Sequence, residues 1–342
     1  MKMRKLCIAV SMVLGLAACD RGQQADTSKI PAAQIGAVIS NIDTNPFLKG
    51  IYTNMQKTVA ENPQVNLQLD VARDSQDTEN AQLESMLNGG AKALIVLLVD
   101  PKIGAEFATK MCDRRVPVVY INRSPGAKAL QECDIAFYVG PDDRYGGTLQ
   151  AEVALEKWQE HSEWDKNGDG KIQVAVLEGT PGTPSTRQRA DWAISGLKFH
   201  PEGGLGSESL DIVIQEHARY DEKVAKELVE SKWLKMPEFD KVEMILAGND
   251  NMAIGAANAI EAAGKKVPIF AINATPEGLD AVKNGKIQGT VFNDNITMAR
   301  ASIRIAANLA NGRPADEGVY LDMDESGSFL IPMRRVEDMP KD

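Results

Sequence analysis

Two sets of side chains in this sequence have the types and spacing to do chemistry. The first is Asp165, Asn167, Asp169, Lys171 and Gln173, which stand at alternate positions around Gly170. Oxygen ligands so spaced converge when the chain winds round a hard cation, as in a calcium loop of the EF-hand type. Gly170 falls where such a loop turns sharply, and Lys171 where it offers a backbone carbonyl. The twelfth position, normally a bidentate Glu, is Val176. So either the site is incomplete or a carboxylate arrives from elsewhere in the chain.

The second set is a series of asparagines that follow apolar runs: Asn41 and Asn45, Asn122, Asn249, Asn273 and Asn293. An amide both donates and accepts, which matches a hydroxyl that does both. One asparagine after a strand is ordinarily a turn or a helix cap. Five strand ends carrying them point instead to a ligand rich in hydroxyls. Nothing comparable points to catalysis. The histidines, His161, His200 and His217, have no metal-site spacing, and no nucleophile elbow or phosphate-binding glycine loop is visible.

The elements that must position these residues are legible as apolar runs. They are 35–40, 67–71, 93–99, 116–121 and 136–139, then 172–177, 212–215, 244–247, 269–272 and 290–292. Several are apolar throughout, as expected of strands covered on both faces. Helix-period patterns at 47–61, 78–89, 144–160, 220–232, 251–263 and 296–311 separate most of them. Strand and helix in alternation predict an α/β fold of two doubly wound parallel-sheet lobes, changing near 140–143. Open parallel sheets bind ligands beyond the carboxyl ends of their strands. That is where the asparagines fall.

The amino terminus carries a different signal. Lys2, Arg4 and Lys5 precede an apolar run from Leu6 to Leu16. The run is shorter than the roughly 20 residues of a membrane span and reads as a secretory signal peptide over 1–18. Leu16-Ala17-Ala18-Cys19 is similar to the bacterial lipobox, which implies cleavage before Cys19 and its acylation. Asp20 next to it implies retention at the inner membrane, on its periplasmic face. Residues 19–33 read as the lipidated cysteine and a flexible tether. Loss of the three basic leader residues takes the formal net charge from −10 to −13. No basic patch is left for nucleic acid, and membrane contact is expected through the lipid anchor alone. Cys112 and Cys133 fall at the same pole of one sheet, where the oxidising compartment permits a disulfide; two free thiols are the alternative.

From Gln34 to about Asp338 the chain resembles the periplasmic galactose/glucose-binding proteins, which have the type I periplasmic-binding-protein fold. The stretches that carry this are 91–101, Val116-Pro-Val-Val-Tyr-Ile-Asn122, Phe137-Tyr-Val-Gly140, 164–173, 248–255 and Gly289-Thr-Val-Phe-Asn-Asp294. The resemblance implies three hinge crossings. The amino-terminal lobe would comprise 34–141 plus 293–328, and the carboxyl-terminal lobe 142–292 plus 329–342. It also implies Glu243 as the missing calcium ligand, and a monomer that delivers a monosaccharide to the permease of an ABC importer. Docking on a chemoreceptor or sensor kinase is the alternative role. A lactose-repressor-like regulator shares this architecture but needs a helix-turn-helix where the leader stands. The implied ligand residues are Asn45, Phe47, Asn122, Arg123, Ser185, Arg189, Tyr220, Asn249, Asn273 and Asn293.

The departures bear on the ligand. Asn273 stands where the family has a bidentate Asp, Thr44 or Asn45 where it has an acid, and Thr183 and Ser185 where it has His and Asp. Arg123 replaces a Lys, Tyr220 a Trp, and Ser124 stands where an acid is common. Fewer carboxylates leave the two arginines facing few acids. A sugar acid or a polyol is therefore the alternative to a neutral hexose.

Overall fold

The computed structural model describes residues 30–199, 206 and 209–340. The segment expected to be a signal peptide, and Cys19, lie outside them. Among the described residues, ten strands and ten helices alternate and two short strands follow. The first sheet is built from β1 (Ala33–Ile39), β2 (Val65–Val71), β3 (Ala93–Leu97), β4 (Val118–Ile121), β5 (Ala136–Pro141) and β11 (Ser328–Ile331), in the order β11-β5-β4-β3-β1-β2. Every pairing in it is parallel. The second sheet holds β6 (Ile172–Glu178), β7 (Leu210–His217), β8 (Met244–Ala247), β9 (Ile269–Asn273), β10 (Gly289–Phe292) and β12 (Arg334–Arg335), in the order β12-β10-β9-β8-β6-β7. Its one antiparallel member is β12, which pairs with β10. Strands β3, β4, β8, β9 and β10 are buried along their whole length, which explains the unbroken apolar sequences of β3, β4 and β8; β9 ends in the buried Asn273 and β10 carries the buried Thr290. The edge strands β2 and β7 are only partly covered and mix apolar with polar residues.

Helices cover both faces of each sheet. On the first, α1 (Pro46–Glu61) and α10 (Asn295–Ala310) enclose a core with Ile51, Met55, Ile95, Ile303 and Phe329. The opposite face, under α2 (Gln76–Asn88), α3 (Gly104–Asp113) and α4 (Ala127–Gln131), packs Leu83, Met111 and Tyr120. On the second sheet, α7 (Glu222–Ser231), α8 (Asp250–Ala262) and α9 (Pro276–Lys283) lie on one face, and α5 (Asp143–Glu160) and α6 (Pro184–Phe199) on the other.

The chain passes between the lobes after β5, after β10 and between β11 and β12. The last passage corrects the expected boundary. Ser328–Ile331 pairs with Tyr138–Pro141 of β5, so these residues belong to the first lobe, and the crossing falls at 332–333 rather than after 328. Leu149, Ile272, Val291 and Met333 form a small apolar cluster beside it.

Candidate functional site: the cleft between the lobes

The carboxyl ends of both sets of strands face one cleft of about 860 Å³, within the range of small-molecule sites, about 300–1,000 Å³. Among the described residues, seven of the eight non-glycine residues with positive φ stand at these strand ends: Arg73, Asp74, Asn122, Arg219, Tyr220, Asn273 and Ala274. Left-handed backbone is unfavourable for such side chains and concentrates at functional sites.

Of the ten expected residues, nine line the cleft and Asn293 does not. Asn45 caps α1, accepting the Leu48 N–H at 3.2 Å. Pro46 then occupies the first helical turn, where its missing N–H costs nothing. Phe47 follows, packed into the core under α1 and touching the cleft. Asn122 lies at φ 63°, and its carbonyl accepts the Tyr138 hydroxyl at 2.9 Å. A side chain at Gly140 would collide with that hydroxyl, which is why a glycine stands next to last in β5. Arg123 donates through Nη1 to the Leu98 and Val99 carbonyls at 2.7 and 3.2 Å. Burial lowers the pKa of this guanidinium, against the pull of Asp74 and Glu79. Glu79 is itself buried and accepts the Val99 N–H at 2.7 Å.

The second wall is a polar network. Arg189, on α6, donates through Nε to Asp143 Oδ1 at 2.7 Å and through Nη1 to the Gly248 carbonyl at 2.8 Å and Asn273 Oδ1 at 3.4 Å. Burial pushes the Asp143 carboxyl up and Arg189 pulls it down; Asp143 in turn reinforces the charge on Arg189. Asn293 stands behind, donating to Asn273 Oδ1 at 3.1 Å. Its own buried Oδ1 finds no donor among the described residues, and such an orphan requires an explanation. Tyr220 lies 5.8 Å from the Arg189 guanidinium, ring centroid to Cζ. Its hydroxyl meets Thr186 Oγ1 at 3.0 Å and Ser185 Oγ at 3.2 Å. A Cβ at Gly179 would fall 2.0 Å from the Tyr220 ring, so the glycine makes room for it. Asn249 caps α8 through Met252 N–H and donates to the Tyr220 carbonyl at 3.3 Å. Beneath it Asp250 is buried and takes hydrogen bonds from Thr275 and Thr290. Burial raises its carboxyl pKa to about 6.

Asp143 is the residue that sequence reasoning missed, and it corrects the expectation of two arginines facing few acids. Arg189 has a carboxylate partner, and Arg123 is held by backbone carbonyls. The signal was the Asp142-Asp143 doublet at the first crossing. A helix needs one cap, and Asp142 supplies it through Arg144 and Tyr145 N–H.

At the opposite pole lies the loop 165–173. Asp165 accepts the Gly168 and Gly170 N–H groups, and both glycines have positive φ. Asn167 and Gln173 each turn an amide nitrogen to Asp169 Oδ2, at 3.0 and 3.2 Å. Glu243 begins where β8 meets β6: its N–H donates to the Gln173 carbonyl at 2.8 Å, and its carboxylate accepts Lys166 N–H at 2.7 Å. Burial raises the Glu243 pKa, helped by Asp165 and Asp169, while the N–H donors lower it. Among the described residues no three His, Cys, Asp or Glu side chains converge as a metal cage, because these carboxylates are turned to N–H groups. The donor set nevertheless fits a hard cation: three carboxylates, two amides whose oxygens turn inward on a simple flip, and the Lys171 carbonyl. Cys112, in the last turn of α3, and Cys133, just before β5, are joined in a disulfide.

A model described as a periplasmic binding protein domain matches residues 35–314. The D-galactose/methyl-galactoside binding periplasmic protein MglB of Haemophilus influenzae is 33% identical over 87% of this chain and 92% of its own length. A putative rhizopine-binding protein of Rhizobium meliloti is 28% identical over 76% of this chain and 79% of its own length. Among solved structures, an ABC transporter solute binding protein from Bacillus halodurans with bound myo-inositol superposes with a TM-score of 0.71 at 26% identity, covering 91% of this chain and 96% of that one.

Proposed function

We propose that this chain, which belongs to the periplasmic binding protein family, captures a neutral monosaccharide of the glucose/galactose type between its lobes and delivers it to an ABC importer. The observation that carries this reading is the pairing of apolar and polar surfaces across one cleft. Phe47 on one lobe and Tyr220 on the other supply flat faces for the C–H surfaces of a sugar ring. Asn122, Asn249, Asn273 and Arg189 supply amide and guanidinium groups for its hydroxyls. The relatives support the same direction, since one is a galactose-binding protein by name and a solved neighbour holds myo-inositol.

A thermal-shift screen of hexoses, pentoses, polyols and sugar acids, followed by calorimetry, tests it. A ligand present at a hundred times its Kd stabilises the fold by about 2.7 kcal/mol. A melting point raised only by ligands outside the polyhydroxyl class would sink the proposal.

Two further readings belong with it. The family places the protein in the periplasm, and the Leu16–Cys19 motif supports a lipid anchor at the inner membrane; mass spectrometry of the mature amino terminus checks this. A calcium ion would be held by Asp165, Asn167, Asp169, Gln173, Glu243 and the Lys171 carbonyl, neutralising the carboxylates and clamping the loop to β8. Chelation is then expected to lower Tm by about 5 °C without changing the ligand Kd at saturating protein stability. An unchanged Tm in chelator, with no calcium in the dialysed protein, contradicts it.

A further inference from the structure

Arg189 is the most heavily engaged donor of the cleft, and its charge is balanced from an unexpected place. At the end of β9, where the resembled family has an acid, this chain has Asn273, which offers the guanidinium only an amide oxygen at 3.4 Å. The countercharge comes from Asp143, in the first turn of α5, directly after the first crossing between the lobes. The side chains of the pair are 7% and 6% exposed. Capping of α5 is done by Asp142, so Asp143 is free to serve Arg189.

We propose that Asp143 is a positioning and specificity-determining residue: it neutralises Arg189 from within the wall, fixes the guanidinium as a donor to hydroxyls, and closes the cleft to anionic sugars. This rests on the reading of the cleft as a sugar site. Five aspartates and four arginines line the cleft, so it holds no surplus of positive charge. An incoming carboxylate would have to share Arg189 with the buried Asp143 carboxylate, and two like charges on one buried cation repel, a costly arrangement. A hydroxyl needs only N–H donors, and charge-assisted ones are the stronger kind. The other acids are engaged locally: Asp221 caps α7, and Asp324 binds the N–H groups of its own loop.

The test compares wild type with Asp143→Asn in calorimetry against galactose and galacturonate, and glucose and glucuronate, with inorganic sulfate as a plain oxyanion in thermal shift. Wild type is expected to prefer the neutral member of a pair by at least 100-fold and to ignore sulfate. Asp143→Asn is expected to narrow that preference below tenfold and to be stabilised by sulfate. A merely structural role would lower stability and leave the ratio unmoved, which overturns the proposal. So does a wild type that prefers the acids, although the sugar reading then stands. A wild type that binds no sugar of either kind removes the sugar reading, and the sulfate arm still decides: equal responses of the two proteins overturn the role of Asp143. If Asp143→Asn does not fold, the double variant Asp143→Asn/Asn273→Asp returns an acid beside Nη1. It is expected to restore the neutral preference, and equal affinity for galactose and galacturonate overturns the proposal.

Discussion

The two walls of the cleft hold their polar groups by different means. On the second lobe, side chains mainly hold side chains: Asp143, Arg189, Asn273 and Asn293 form one chain of contacts, and Ser185, Thr186 and Tyr220 another, while Asn249 is tied to backbone. On the first lobe the ties are mainly to backbone: Arg123 to the Leu98 and Val99 carbonyls, Asn45 to the Leu48 N–H, with one isolated side-chain pair, Asn41 donating to Asp74. A side-chain network is pre-organised as a unit, and cutting one member affects the rest. A backbone-tied group is set by the fold alone. On the proposed function, this difference gives recognition mainly to the second lobe and apolar closure mainly to the first, through Phe47. Across the cleft the lobes already meet through Asn251, which donates to the Thr44 carbonyl at 3.2 Å.

The largest expected effect separates the two arginines. Arg189→Ala should weaken ligand binding by at least 100-fold, since hydrogen bonds to charged groups contribute about 1.5–3 kcal/mol each. It should also lower stability by about 3–5 kcal/mol, because Asp143 is left buried and unpaired. Calorimetry and urea denaturation read the two effects. Retained affinity would break the comparison.

The next effect is a pH dependence beneath the same wall. Asp250 has its pKa raised to about 6 from an ordinary 3.8. A carboxyl whose folded pKa lies above its unfolded one takes up a proton on folding, so its contribution favours acid. Stability from this group is greatest below about pH 4 and falls as pH rises to 6, by about 3 kcal/mol. In denaturant melts the stability difference between wild type and Asp250→Asn should change in wild type's favour as pH falls through that window. A difference constant from pH 4 to 7 would show that Asp250 is not titrating there.

Sequence patterns made much of this fold legible because burial wrote itself into composition. β3, β4 and β8 are covered on both faces and are apolar throughout. β11 and β12 were not legible. They are short, and β12 is Arg334-Arg335; distant partners, β5 and β10, define both as strands. Helix α6 was also missed, since Arg187, Gln188, Arg189 and Asp191 interrupt its apolar period. At the site, strand-end asparagines were readable one at a time. Asp143 was not, because its role depends on an arginine 46 residues away. Asn293 was read as a ligand contact, whereas here it stands behind Asn273, out of the cleft wall.

The smaller effects sharpen the contrast. Arg123→Ala should cost less than tenfold in affinity but about 1–3 kcal/mol in stability, as the Leu98 and Val99 carbonyls after β3 lose their donor and Glu79 its neighbouring cation. An affinity loss as large as that of Arg189→Ala would put recognition on both walls. Tyr220→Phe keeps the apolar face and removes the hydroxyl bonded to Ser185 and Thr186. It should reduce affinity about fivefold, in line with one neutral hydrogen bond of about 1 kcal/mol. A loss above 100-fold in calorimetry would mean that the hydroxyl itself binds the ligand.

The central claim is that a neutral sugar occupies the cleft between the lobes and is recognised chiefly by the second wall. Calorimetric titration of wild type and Arg189→Ala with the hexose selected by thermal shift tests it most directly. The expected result is one site per chain in wild type and no measurable binding in the variant, with the variant still folded by circular dichroism. Equal binding by both proteins, or binding by wild type only of a ligand without hydroxyls, would contradict it.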